Sequence, residues 1–125
     1  ASAVQEKPAV QLASATPPPS VRLDAGLKAY QSGDYDEALK HWQPAAEEGN
    51  ANAQFYVGGL YRDGAGVTSS LPQAHFWWLL ASENGHQTAK RFLGELRAEM
   101  LPHELVAADQ LVKDWNQRIK DNSTE

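Results

Sequence analysis

The chain has 125 residues, a net charge of −5 and no cysteine. That length suits one domain with a modest core, and nothing in the composition marks a second. Without cysteine there are no disulfides, thiolate metal sites or thiol catalysis. Lys and Arg are too thinly spread to form a basic stripe for nucleic acid, and no apolar run approaches the roughly 18 residues of a membrane-crossing helix.

Residues 1–19 are rich in Ala, Ser and Pro, include Pro17-Pro18-Pro19, and show no apolar periodicity. They cannot bury enough surface to offset their ordering entropy, so a disordered linker is expected there rather than a proline-rich ligand. The first three residues, Ala1-Ser2-Ala3, resemble the small-residue region of a signal-peptide cleavage site. That reading implies a periplasmic or secreted protein, with a start chosen for expression, and a cytoplasmic location, as the alternative.

Ser20 is the expected cap of a first helix running to about Ser32, and Gly33-Asp34 turns the chain. Asp34 and Glu37 form a capping-box pattern at the head of a second helix, which buries Leu39, Trp42 and Ala46 and ends near Gly49 despite Pro44. In a third helix at about 51–62, Ala53, Val57, Gly58, Leu60 and Tyr61 fall at the spacing of an amphipathic stripe. Asp63-Gly64-Ala65-Gly66 ends it, since two close glycines supply the positive-φ backbone of a sharp reversal.

Ser70 caps a fourth helix at about 70–84, with Pro72 in its first turn and Ala74, Trp78 and Ala81 on its inner face. Adjacent helical positions cannot share one core, so Trp77 is expected at an inter-unit flank or partly exposed. A fifth helix follows at about 87–99 and a sixth at about 102–118. Pro102 lies in the first turn of the sixth, and Leu105, Ala108, Leu111, Val112 and Trp115 face inward. Residues 119–125 read as a polar tail.

A repeat runs through these helices. At an offset of 36 residues, Ala38 meets Ala74, Trp42 meets Trp78, Ala45 meets Ala81 and Gly49 meets Gly85. The same offset carries Ala53 to Ala89, Val57 to Leu93 and Gly58 to Gly94. Small falls on small and large on large. Such units bury their apolar faces by stacking, and about three are needed for stability.

The run Ala53, Val57-Gly58, Tyr61, Gly64-Ala65-Gly66-Val67, Ala74, Trp78 and Ala81-Ser82 resembles the Sel1-like repeats, relatives of the tetratricopeptide repeats. The first unit departs from this pattern, with the tighter turn Gly33-Asp34-Tyr35-Asp36-Glu37-Ala38-Leu39 of a tetratricopeptide repeat. In the third unit Met100-Leu101-Pro102 replaces the glycine loop. The resemblance covers about residues 21–118. It implies an all-α, right-handed solenoid of about three helical hairpins, six helices in all, with units at about 20–50, 51–86 and 87–118.

No catalytic pattern accompanies these repeats. His41, His75, His86 and His103 lack any metal-ligand or triad spacing and read as surface or boundary residues. Glu47 and Glu48 point about 100° apart on a helix and mark a solvated face. Gly64-Ala65-Gly66 has neither the preceding strand nor the following Lys of a phosphate cradle. Asn122-Ser123-Thr124 matches the glycosylation sequon, a frequent chance occurrence. No cofactor or metal is expected.

A helical solenoid lines its concave side with the first helices of its pairs. Counted from Gly26, Gly58 and Gly94, the groove positions are Leu23, Leu27 and Tyr30, then Phe55, Gly59 and Arg62, then Arg91, Glu95 and Ala98. Such a surface suits an amphipathic helix or an extended peptide. Covering of Leu23 and Leu27 by their own second helix is the alternative. The resemblance implies a non-catalytic interaction module, a monomer or weak oligomer with a protein or peptide partner, as in bacterial envelope adaptors of this kind. The alternative is a cell-wall-fragment binder or hydrolase akin to cysteine-rich relatives, whose cysteines this chain lacks.

Overall fold

A computed structural model describes residues 18–123. Six α-helices follow one another: α1 (Pro19–Gln31), α2 (Tyr35–Glu47), α3 (Ala51–Asp63), α4 (Leu71–Glu83), α5 (Gln87–Glu99) and α6 (Pro102–Ser123). No strand occurs among the described residues. The fold is all-α. Most of the expected linker, residues 1–17, lies outside the described residues.

The helix starts reveal which local signals act. Ser70 Oγ accepts from the Gln73 amide at 3.2 Å, and Asn50 Oδ1 caps α3 by accepting from Ala53 N at 2.9 Å. Two expected caps are corrected. Helix α1 begins two residues earlier, at Pro19, with Pro18 in the cap position, so Ser20 lies inside the first turn. Asp34 flanks α2 but its side chain caps nothing. Its own amide closes the preceding turn onto Ala29 O at 2.8 Å, with ψ at 72°, away from the extended geometry of a capping residue.

Helix α6 also corrects an expectation, since it continues past 118 to Ser123. No glycine or proline stops it there, and Gln117 Nε2 donates to Asp121 Oδ1 at 2.9 Å across one turn.

Short links make α1–α2 and α3–α4 into helical hairpins, which pack through α2 and α3. One contact recurs in both pairs. Trp42 Nε1 donates to Leu23 O at 3.2 Å, and Trp78 Nε1 donates to Phe55 O at 2.9 Å. Each carbonyl lies three residues before a glycine against which that indole rests. A Cβ on Gly26 would come within 2.1 Å of the Trp42 ring, and one on Gly58 within 2.3 Å of the Trp78 ring. Glycine therefore lets the second helix lay its tryptophan directly on the first helix, burying a large ring and satisfying its N–H together.

The third unit breaks this pattern. Gly94 is exposed, and a Cβ there would meet nothing within 4 Å, so it does not pack inward like Gly26 and Gly58. Helix α6 lies chiefly against α4. Trp115 meets Phe76 and Trp77 edge-on at 5.6 and 5.8 Å, while Ala108 is buried beside Leu96 and Met100.

This crossing corrects two further expectations. Trp77 does meet the next unit, through Trp115, but it is only 4% exposed rather than partly exposed, because α4 has a core on each side. Trp78 packs with Leu93 and Leu96, and Trp77 joins Phe76 and Leu80 in the core shared with α2 and α3. His75 is likewise buried, 3% exposed, rather than at the surface.

Candidate functional site

The first helices of the pairs bring their side chains to one cavity of about 310 Å³. Leu27 and Tyr30 enter from α1, Phe55, Tyr56, Gly59, Arg62 and Asp63 from α3, and Phe92 from α5. Trp42 and Trp78 reach it from the second helices. The rings form a chain across the groove. Tyr30 to Trp42 is 5.9 Å between centroids, Trp42 to Tyr56 4.7 Å, Tyr56 to Phe55 6.0 Å, and Phe55 to Phe92 5.6 Å.

Of the sequence-derived groove residues, Leu27, Tyr30, Phe55, Gly59 and Arg62 stand together at this cavity. Leu23 does not: it packs against the core, and its carbonyl receives the Trp42 indole. Arg91, Glu95 and Ala98 are exposed on α5 and do not line the cavity. With no tryptophan laid on Gly94, that side of α5 has no neighbouring wall with which to form a groove. The Arg91 guanidinium instead lies 5.5 Å from the centroid of the Phe92 ring.

Tyr56, Phe92 and Asp63 are groove residues that the counting from glycine misses. A signal for two of them was present, because Tyr56 and Phe92 are related by the same 36-residue offset and both are aromatic.

Charge at the cavity is confined to its edge. Arg62 Nη2 bonds both carboxylate oxygens of Glu99, at 3.2 and 3.3 Å, which ties α3 to the end of α5. The Asp63 side chain has no hydrogen bond or ion pair with any described residue. His86 stacks on Phe55 with centroids 4.4 Å apart, and its Nδ1 accepts from Ala89 N at 3.0 Å to cap α5. Burial lowers its basicity, keeping the acceptor lone pair available.

A larger cavity, about 670 Å³, opens where the ends of α2 and α4 meet α6. Its walls include Glu47, Glu83, Asn84 and Arg118. Beside it the Arg22 guanidinium grips Glu48 with two bonds, of 3.1 and 2.6 Å, and holds that carboxyl below the usual carboxylate range. The smaller groove is the stronger candidate despite its size. It is built from one register in successive units and is lined mainly by aromatic surface with few polar groups, the usual character of a recognition site.

Neither cavity assembles a nucleophile with a base. His75 makes no hydrogen bond through either ring nitrogen, and its basicity is lowered by burial, with Arg97 adding to the effect and Asp109 opposing it. Among the described residues no group of three or more His, Asp or Glu could hold a metal ion. No helix among them is long and apolar enough to cross a membrane.

Residues 23–50 and 51–86, just over half of the chain, match the Sel1 repeat family. Two curated relatives share parts of this region. The exopolysaccharide production negative regulator of Rhizobium leguminosarum bv. viciae is 40% identical over 43 residues, 34% of this chain and 16% of that protein. Chitin synthase regulatory factor 3 of Schizosaccharomyces pombe is 38% identical over 60 residues, 48% of this chain and 6% of that protein. The match thus spans a small part of either relative. With two matched units, the Trp-on-Gly contact repeated in both and a groove lined by the first helices, the chain belongs to the Sel1 repeat family, a family of interaction and regulatory adaptor modules.

Proposed function

We propose that the protein is a non-catalytic adaptor that holds a peptide segment of a protein partner in the groove between α1, α3 and α5. The observation that carries this reading is the convergence of Tyr30, Phe55, Tyr56 and Phe92, from three successive first helices, on one aromatic cavity. A side chain inserted there would bury its surface against rings already held in place by the core, so little ordering cost opposes binding. We further propose a periplasmic or secreted location. This location is what the resemblance to Sel1-like repeats implies, and cell fractionation tests it.

Gly59 offers the experiment. It lines the cavity, and a Cβ built on it meets nothing within 4 Å, so a side chain at this position projects into the groove without disturbing the core. Gly59→Phe is expected to weaken capture of the partner by about 2 kcal/mol or more, as for loss of an anchor, while the melting temperature is maintained. Partners cross-linked to the wild type in an envelope extract are compared by mass spectrometry with those of the variant. An unchanged partner set with a correctly folded variant refutes the groove as the site.

A further inference from the structure

Resting on that reading, we infer that the residue anchoring the partner in the groove is an arginine. Two features of the cavity select it. Its walls are aromatic, and ring faces carry the negative lobes of their quadrupoles, so they attract a cation that approaches them. The other feature is the edge. Among the described residues, Arg62 and Asp63 are the charged side chains that line the cavity, and Glu99 already pairs with Arg62. The carboxylate of Asp63 is left without a partner among the described residues, so the uncompensated charge at the cavity is negative.

An incoming side chain must therefore have an apolar stem, a flat face and a positive end. Leucine satisfies only the first requirement, and lysine lacks the flat face. Arginine meets all three, since its guanidinium stacks on rings and presents paired N–H donors to a carboxylate. The net charge of −5 acts in the same direction, drawing basic segments toward the chain at low salt.

The test uses capped Gly-Ser pentapeptides whose central residue is arginine, citrulline, lysine or leucine. Citrulline keeps the arginine shape and removes its charge. Ring resonances of Tyr30, Phe55 and Tyr56 are followed by NMR during titration at low salt. The arginine peptide is expected to shift them and to bind at least fivefold more tightly than the other three. Asp63→Asn is expected to remove most of that advantage and leave the leucine peptide unaffected. Asp63 is exposed, and a thermal melt verifies that the variant folds. Equal binding of arginine and citrulline, an unaltered preference in Asp63→Asn, or no shift at the groove rings overturns the inference. Preferred binding of leucine at the same rings also overturns it, while leaving the peptide groove intact. The groove itself is judged separately by the Gly59→Phe partner comparison.

Discussion

Gly58 and Gly59 are neighbours in the middle of α3, so replacing each with alanine isolates what packing demands from what helix propensity offers. Both substitutions gain about 1 kcal/mol from propensity alone. At Gly59 nothing opposes that gain, because the new methyl enters open space. At Gly58 the Cβ would lie 2.3 Å from Cδ1 and 2.5 Å from Nε1 of Trp78. The ring must retreat by about 1 Å or more to reach ordinary contact distance, and it is itself only 3% exposed. Overpacking of this kind costs about 1–3 kcal/mol, and loss of the 2.9 Å bond to Phe55 O adds about 1 kcal/mol. After the propensity gain, Gly58→Ala is expected to be destabilised by about 1–3 kcal/mol and Gly59→Ala stabilised by up to about 1 kcal/mol. For a domain of this size the two melting temperatures should differ by about 5–15 °C. Urea unfolding followed by tryptophan fluorescence and circular dichroism measures the difference. Equal stabilities for the two variants would refute the Trp-on-Gly account of how the hairpins close.

Two other substitutions probe different parts of the fold. Gly66 has φ +75°, and a Cβ there would come within 2.6 Å of the backbone of Tyr35 and Asp36, so Gly66→Ala should cost at least about 1–3 kcal/mol in chemical unfolding. A variant as stable as the wild type would show that the loop does not bear on α2. For His75 the sign follows from burial, which lowers its folded-state pKa below the ordinary imidazole value. As pH falls below about 6.5 the unfolded chain takes up the proton first, so stability is full above that pH and declines below it. His86 shifts in the same direction and adds to the decline. Denaturant midpoints at pH 7.5 and 5.5 should therefore differ for the wild type and differ less for His75→Phe; identical differences would remove His75 from the explanation.

Much of this fold is readable from local signals. The 36-residue offset pairs Trp42 with Trp78, and the two rings make the same contact, because equivalent residues on equivalent helices meet equivalent neighbours. The third unit shows where that logic ends. Gly94 repeats Gly58 in sequence, but the link to α6 is only two residues long, and the α6 residue seven after the helix start, where α2 and α4 carry Trp42 and Trp78, is Asp109, so no indole arrives to use the space that the glycine leaves. The depth at which Trp77 and His75 are buried has a nonlocal cause. The amphipathic rule gives a helix one buried face, whereas α4 has partners on both sides once α6 folds across it. The groove was partly legible for the same reasons. Leu27, Tyr30, Phe55, Gly59 and Arg62 follow from the register, whereas Arg91 and Glu95 lie on α5 where no second-helix tryptophan supplies an opposite wall.

The contact at Gly66 gives the array a direction. The loop between α3 and α4 reaches backward, against the chain's course, and rests on the opening residues of the second helix of the unit before it. A unit of this length thus carries a foot in its turn and, at the head of its second helix, a step for the foot of its successor. The step is made of backbone, so it imposes no side-chain requirement. Copies of residues 51–86 inserted in series would each bring both halves of the joint, and the array could lengthen by duplication without inventing a new interface. The Met100–Leu101 link has no glycine foot, so the head of α4 receives none from the unit that follows it.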